Sequence, residues 1–416
     1  MHRRDAMAAF AGLGLGLLTG CPWPAGAGKR PIQVGVLHSL SGTMAISERS
    51  LVDATLLGLQ EINEAGGLLG RRVEPVVVDG RSRASTFATQ AESLVAQRVR
   101  AIFGCWTSSS RKLVKPVVER GDCLLFYPVA YEGLEGSPSI VYTGAAPNQQ
   151  LAPAVAWSME HLGRRCFLVG SDYVYPRAAN AIIRDYWTGL GGQIVGQHYL
   201  PLGSARVHEV VAEIDAVAPD VIFNSITGDT NVIFFSALRA AGITPDRIPT
   251  MSLGLAEEEL RALDVRDLAG DYATHSYFQT IDSPENRRFV AAFQGRYGAH
   301  RVTSDAIEAA YIGTKLWAQA VTQAGTTEVR AVRQAIGRQS YAAPEGMVYV
   351  DPDTQHLWKS VRIGRVRADG QFDVVWSSGK PVRPVPYPLT RSRAAWVSFL
   401  DDLYQSWEQQ WSTQET

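Results

Sequence analysis

The fold is decided by the stretch IQVGVLHSLSG, which occupies residues 32–42. Its first six residues form a nearly continuous apolar run, which predicts a strand buried on both faces. A helical pattern follows, with Leu51, Ala54 and Ile62 spaced for one face, and Gly66 is typical of its end. A buried strand followed by an amphipathic helix is the unit of a parallel sheet covered by helices.

The same unit recurs along the chain in two series. The first series continues with strands predicted at 73–78, 101–104 and 123–127. The second series begins near residue 148, and its strands are predicted at 166–169, 193–199, 221–223 and 248–251. Two series of similar rhythm predict an α/β fold with two Rossmann-like lobes, each built on a parallel sheet. Alternating strands at 346–350, 361–366 and 372–376 depart from that rhythm and predict antiparallel pairing near the end of the chain.

Length and composition place the chain among globular proteins. Its 416 residues are 46% hydrophobic and 19% charged, and this length favours two domains over one. Forty basic and forty-one acidic residues give a net charge of −1. Because no basic surplus is present, we expect no nucleic-acid partner.

The first twenty residues are predicted to be an export signal. The basic residues His2, Arg3 and Arg4 precede an apolar stretch that is too short for a membrane span. The stretch ends in LTGC at Cys21, which resembles the lipobox of bacterial lipoproteins, whose cysteine receives the lipid. An ordinary cleavable signal peptide is the alternative, and the arginine pair also permits twin-arginine export. We therefore expect a periplasmic chain, either soluble or lipid-anchored through Cys21.

Sequence motifs of common enzymes and metal sites are missing. Neither GxxxxGK[ST] nor GxSxG occurs. The pair His208-Glu209 lacks the second histidine of a zinc-binding helix, because position 212 is Ala. We expect no catalytic residue, no metal and no cofactor.

The cysteines after Cys21 are too irregular for a metal site or a disulfide framework. They are Cys105, Cys123 and Cys166, an odd number without CxxC spacing. All three lie in apolar surroundings, which favours buried free thiols over a bond between Cys105 and Cys123.

Polar and aromatic residues follow the predicted strands at the edge where parallel sheets bind ligands. These segments are HSLSGT from His38, WTSSSRK from Trp106, YPVAYEG from Tyr127, SDYVYPR from Ser171 and TGDTN from Thr227. Hydroxyls and rings are frequent there and fixed charges are few, which suits a small uncharged polar molecule. At any single position helix capping explains a serine or threonine equally well, so the hypothesis depends on all five segments meeting at one edge.

The chain resembles the type I periplasmic substrate-binding proteins of ABC importers, in the Leu/Ile/Val-binding branch, and is closest there to urea- and short-chain-amide-binding proteins. The resemblance runs from about residue 31 to 392 and is carried by LHSLSGTMAISE from Leu37, GCWTSSSRK from Gly104, LLFYPVAYEG from Leu124, YTGAAPNQQ from Tyr142 and GSDYVYPR from Gly170. It implies two lobes joined by a hinge of crossing strands, which close over the ligand and dock on ABC permease subunits in the inner membrane.

This resemblance also guides the assignment of domains. We assign residues 31–146 with about 276–350 to the N-terminal lobe and hinge region. The C-terminal lobe comprises 147–275 with about 351–390, and residues 392–416 form a C-terminal helix.

The resemblance further implies the ligand-binding residues. They are Trp106, Ser108, Tyr127 and the backbone at Val129 in the first lobe, Tyr175 and Thr227 in the second, and Asp305 near the hinge. Two positions depart from the urea binders, which carry a polar residue in place of Ala130 and often Phe in place of Tyr175. Both urea and a short aliphatic amide therefore stay open as ligands, with urea preferred. Asp305 is also explained by capping of the helix that begins there.

The chemistry of urea fits these residues. Urea has four N–H donors and one carbonyl acceptor, and an unmatched buried polar group costs about 1–3 kcal/mol. Ser108, Tyr127, Tyr175 and Asp305 could supply acceptors, while Trp106 could pack on the flat face of the ligand. The expected function is an extracytoplasmic solute-binding protein, not an enzyme, that delivers urea or a short-chain amide to an ABC permease. An amide-sensing regulator of the same fold and an amide hydrolase are the alternatives.

Overall fold

The structure, a computed structural model, describes residues 30–413, so the predicted export signal and Cys21 lie outside the described residues. The strands are β1 Ile32–His38, β2 Val73–Asp79, β3 Ala101–Gly104, β4 Leu124–Tyr127, β5 Ile140–Tyr142, β6 Arg165–Ser171, β7 Gln193–Leu200, β8 Val221–Ser225, β9 Thr250–Ser252, β10 Tyr272–His275, β11 Ser340–Ala343, β12 Gly346–Val350, β13 Leu357–Trp358, β14 Arg362–Val366 and β15 Phe372–Ser377. The helices are α1 Ala45–Glu64, α2 Ala84–Ala96, α3 Ser108–Arg120, α4 Leu151–His161, α5 Val174–Gly189, α6 His208–Val217, α7 Asp229–Ala240, α8 Glu257–Leu260, α9 Val265–Leu268, α10 Pro284–Tyr297, α11 Asp305–Ala324, α12 Val329–Ile336 and α13 Arg393–Ser406.

Two large sheets confirm the predicted α/β fold of two lobes. The first sheet has the order β2-β1-β3-β4-β5, and all its pairs are parallel. The second has the order β15-β14-β10-β9-β8-β6-β7, in which β14 and β15 add antiparallel to an otherwise parallel sheet. A third, antiparallel sheet consists of β11, β12 and β13.

Each large sheet has its own buried core. The first lobe contains the first and third sheets together with α1–α3 and α10–α12, which pack around residues such as Val34, Phe103 and Trp317. The second lobe contains the second sheet with α4–α9 and α13, which pack around residues such as Trp187 and Phe234. Strands such as β3 and β4 are buried along their whole length, as their apolar runs predicted.

The chain passes between the lobes three times, after β5, after β10 and between β13 and β14. A buried lysine joins these crossings. Lys359 Nζ donates to the Thr143 carbonyl at 2.9 Å, and it lies 3.4 Å from the carboxylate of Glu345. Arg362 donates to the Glu345 carbonyl at 2.8 Å and also to the Ser276 carbonyl, which follows the second crossing. The predicted limits of the two lobes stay a prediction.

The end of the chain differs from its prediction. The helix α13 ends at Ser406, whereas the whole segment 392–416 was expected to be helical. Glu408 and Gln409 have φ of 54° and 64°, which breaks the helix and turns the chain back towards α5.

The cysteines agree with their prediction. Cys105, Cys123 and Cys166 are buried and free. Burial raises the pKa of each thiol, to about 12 for Cys123, so all three stay protonated.

Candidate functional site

The seven predicted binding residues line one cavity between the two lobes. About 40 Å³ of the cavity is accessible to the centre of a water molecule, which is room for a few waters or one very small ligand. The cavity is lined by Trp106, Ser108, Tyr127, Val129, Ala130, Tyr173, Tyr175, Thr227, Leu253, Gly254, Ala256, Glu259, His275, Ser304, Asp305 and Ala306. The structure therefore brings all seven predicted residues together, while their role in binding stays a prediction.

Ser108 opens helix α3 at the wall of the first lobe. Thr107 is the N-cap of this helix, and its side chain accepts from the Ser110 amide, so the helix begins where the sequence indicated. The Ser108 hydroxyl donates to the carboxylate of Glu132 and accepts from Arg111 at 2.9 Å. Since its hydrogen points at Glu132, the hydroxyl can offer only a lone pair to the cavity.

Arg111 lies fully buried behind Ser108 and holds two carboxylates. Its guanidinium is 2.9 Å from Glu132 and 2.9 Å from Glu135, and Lys112 lies 3.0 Å from Glu135. Burial alone would raise the pKa of Glu135, but Arg111 and Lys112 hold it well below its usual range. The carboxylates behind the site are thus compensated inside the first lobe.

Tyr127 completes this wall with its hydroxyl also turned away. It donates to the Trp106 carbonyl at 2.6 Å, and burial raises its pKa, so the phenol stays protonated. The neighbouring segment at Val129 lies against Gly144 in the first crossing. A Cβ at Gly144 would lie 2.1 Å from the Val129 carbonyl, so only glycine permits this approach.

On the second lobe, Tyr175 points its hydroxyl at Gln150. The amide nitrogen of Gln150 donates to the carbonyls of Leu253 and Thr274 at 2.9 and 3.1 Å, which fixes the amide orientation. The amide oxygen of Gln150 therefore accepts from Tyr175, at 3.4 Å. Thr227 lies beside Tyr175 in the wall, and its amide donates to the Ser171 hydroxyl.

Asp305 does not cap its helix. Ser304 is the N-cap of α11, and one oxygen of Asp305 accepts from the amides of Ser276 and Tyr277, both at 2.9 Å. The capping interpretation of Asp305 is therefore wrong. The carboxylate instead ties α11 to the second crossing, and its residue borders the cavity.

Glu259 is a lining residue that the sequence analysis missed. It belongs to the short helix α8, and its carboxylate accepts from the Ser47 hydroxyl of the first lobe at 2.7 Å. Burial raises the pKa of Glu259 to about 7. Because α8 has only four residues, no periodic pattern marked it, although AEEEL at 256–260 could have been interpreted as a helix start.

His275 was missed as well, because it ends the short strand β10. Its Nε2 donates to the Leu255 carbonyl at 2.9 Å, and its Nδ1 is buried without a hydrogen-bond partner among residues 30–413. The carboxylates of Asp305 and Glu259 and the ring of His275 thus line the cavity, whereas the described lining residues include neither lysine nor arginine.

A metal-binding cluster and a membrane-spanning helix are both absent from the described part of the chain. Within residues 30–413, no group of three or more His, Cys, Asp or Glu side chains is placed to hold a metal ion. In the same range, no helix combines the length and the apolar character that crossing a membrane requires.

Comparison with known proteins places this fold. Residues 32–393 match the sequence model of the family described as "Periplasmic binding protein domain". The Leu/Ile/Val-binding protein homolog 6 of Brucella melitensis is 24% identical over 80% of this chain and 87% of its own. A 118-residue stretch is 36% identical to a limonene hydroxylase of Geobacillus stearothermophilus, but it covers only 22% of that protein and 28% of this chain.

Solved structures share the fold at low sequence identity. A solute-binding protein of an R. palustris ABC transporter, in complex with benzoate, has a TM-score of 0.78 at 18% identity, over 85% of this chain and 98% of that one. The branched-chain amino acid binding protein of Streptococcus pneumoniae, in complex with isoleucine, has a TM-score of 0.74 at 20% identity, over 85% and 100%. From the family match over residues 32–393 and this two-lobed fold, we conclude that the chain belongs to the periplasmic binding proteins, in their type I form.

Proposed function

We propose that this protein is the periplasmic receptor of an ABC importer for urea or a short-chain amide. The observation that carries the proposal is the direction of the hydrogens around the cavity. Ser108, Tyr127 and Tyr175 donate theirs to Glu132, the Trp106 carbonyl and Gln150. With their hydrogens engaged, these hydroxyls face a ligand as acceptors, which matches a molecule rich in N–H groups.

The charges of the cavity support a ligand without a carboxylate. The comparison proteins hold benzoate and isoleucine, both of which carry one. Here Asp305 and Glu259 line the cavity, and the described lining residues contain no lysine or arginine to pair with an anion. A bound carboxylate would be buried next to groups of like charge, and such a juxtaposition costs several kcal/mol.

The number of hydrogen bonds favours urea within this class. Urea and acetamide both have four heavy atoms, so size alone does not separate them. The four N–H groups of urea can use more of the acceptors than the two of acetamide. With about 1.5 kcal/mol per heavy atom as the ceiling for tiny ligands, we expect a dissociation constant on the order of tens of micromolar.

Titration calorimetry of the purified protein tests this proposal. We expect 1:1 binding of urea, weaker binding of acetamide and formamide, and no heat from isoleucine or benzoate at equal concentrations. Silence towards urea and all short amides, or tighter binding of a carboxylate, contradicts the proposal. Ammonia release from urea in the same samples would instead support the hydrolase alternative.

The export signal motivates a second part of the proposal. We propose that the chain acts in the periplasm, with Cys21 as the lipid-bearing first residue of the mature form. Mass spectrometry of protein from membranes would show a diacylated Cys21, and a Cys21→Ser variant would leave the membrane fraction. An unmodified mature chain starting beyond residue 21 contradicts the lipid anchor but not the ligand.

A further inference from the structure

The C-terminal segment 407–413 lies outside the family match, which ends at residue 393. It follows α13, whose Trp396 and Leu400 pack into the core of the second lobe beside α5. The turn at Glu408 and Gln409 directs the segment back to the loop that carries two tyrosines of the cavity wall. This C-terminal segment thus reaches the wall of the cavity.

The contacts with that loop are made by the backbone. The Val174 amide donates to the Trp411 carbonyl at 3.0 Å, and Tyr173 pairs with Ser412 in an antiparallel bridge. The Thr413 amide and hydroxyl both donate to the Asp172 carbonyl, at 3.3 and 3.2 Å. Residues 411–413 are therefore hydrogen-bonded alongside residues 172–174, immediately before Tyr175.

The side chain of Trp411 reaches the other lobe. The ammonium of Lys112, on α3, lies 4.5 Å from the centre of the Trp411 ring, and the ring of Tyr404 lies 4.6 Å from it. Lys112 is nearly buried and is ion-paired with Glu135, so the cation is held in position under partial desolvation. An ammonium over an indole face is attracted by the electrons of the ring, and the attraction is stronger when the pair is desolvated.

We propose that residues 411–413 form a clasp that favours the closed arrangement of the lobes. The segment is anchored by its backbone to the second lobe and contacts the first through the Lys112–Trp411 pair. Opening of the cleft separates α3 from the loop 172–175 and breaks this pair. The clasp therefore increases the population of the closed state and slows the release of whatever ligand the cavity holds.

Cross-linking across the cleft measures closure without any ligand. Thr43 and Asp229, in different lobes, are hydrogen-bonded to each other and do not line the cavity. The full chain with Cys21→Ser, Thr43→Cys and Asp229→Cys should form a disulfide only when closed, and the three native thiols are buried. Adding Trp411→Ala or Lys112→Met should each slow disulfide formation by about five- to tenfold, and the double variant should be no slower than either one.

Trp407→Ala is the matched control, because Trp407 is half-buried against the second-lobe core and has no such contact with the first lobe. Trp407→Ala should leave the rate of disulfide formation within twofold of the parent. Trp411→Phe, which keeps an aromatic ring, should recover part of the rate that Trp411→Ala loses. Equal rates for Trp411→Ala and Trp407→Ala, or additive effects of Trp411→Ala and Lys112→Met, overturn the clasp.

The effect on ligand release rests on the proposed function, and its test is separate. In stopped-flow dilution, Trp411→Ala should release urea faster by the factor seen in cross-linking. If the parent protein fails to bind urea, the proposed function is wrong, while the cross-linking rates still decide the clasp.

Discussion

Asp305 has two carboxylate oxygens in different surroundings. One accepts from two backbone amides of the second crossing, which fixes the side chain, and the residue borders the cavity. Ser108 and Tyr127 are likewise held by partners inside the protein. At this scale the resemblance predicted residues that the structure brings together at one cavity, but the partners that set their polarity are distant in sequence and follow no pattern.

Asp305→Asn tests the demand for acceptors. The side-chain oxygen of the Asn can keep both hydrogen bonds from the backbone amides of Ser276 and Tyr277. Its NH₂ group replaces the other carboxylate oxygen, so an acceptor becomes a donor. We expect the dissociation constant for urea to rise by about tenfold or more, since a mismatched buried pair costs about 1–3 kcal/mol. Calorimetry measures it, with the exposed Asp369→Asn as the control, and an unchanged affinity would remove Asp305 from the site.

Glu257 predicts how stability depends on pH. Burial raises its pKa from the ordinary 4.5 to about 8, and one of its oxygens has no hydrogen-bond partner. The folded form therefore prefers the neutral acid. Its contribution to stability is complete below the unfolded pKa and is lost as the pH rises through about 8.

Glu257→Gln stays neutral and keeps the bond from the Gln279 amide. We expect its melting temperature to equal that of the parent at pH 4, below the unfolded pKa, and to exceed it increasingly as the pH rises to about 8. Thermal unfolding monitored by circular dichroism gives the comparison. Parallel curves at all pH values would show that Glu257 does not titrate in this range.

Helix α3 shows how far an element can be predicted from its residues. Its start at Ser108 followed from TSSS after a buried strand, and the strands β1 to β4 followed from their apolar runs. Short elements without a continuous apolar run, such as α8 and β10, were missed, because four residues of mixed polarity are too few for periodicity to emerge. Glu259 and His275 lie on those two elements, so the incomplete site and the incomplete fold have one cause.

Arg111→Met tests the charge network behind α3. The substitution leaves Glu132 and Glu135 buried with a single lysine as counter-charge, and we expect the free energy of unfolding to fall by about 3–5 kcal/mol. Urea denaturation would confuse ligand and denaturant, so guanidinium chloride unfolding is the measurement. Arg120→Met, at the exposed end of the same helix, should change stability by less than about 0.5 kcal/mol.

Hydrogen bonds between side chains join the two lobes across the cleft. Ser47 bonds Glu259 and Thr43 bonds Asp229, each pairing a residue of the first lobe with one of the second. The two-lobed organisation was predictable from the repeated strand–helix units. These contacts were not, because they join positions about two hundred residues apart in the chain.

Ser47→Ala should weaken ligand binding although Ser47 itself does not line the cavity. It removes a hydrogen bond to Glu259 that exists only when the lobes meet, so the closed form alone loses stability. We expect a dissociation constant about fivefold higher or more, with an unchanged melting temperature of the free protein. Ser50→Ala is the matched control, because Ser50 lies on the same helix but bonds to Arg301 within the first lobe. It should lower the melting temperature of the free protein and leave the dissociation constant unchanged.

The sealed thiols have a practical consequence. Because Cys105, Cys123 and Cys166 are buried and protonated, a cysteine engineered at the rim of the cleft, in a chain lacking Cys21, would take up a fluorescent dye alone. Movement of the lobes would alter the surroundings of that dye. The protein is thereby a ready scaffold for a reagentless optical biosensor, read out in a plain cuvette.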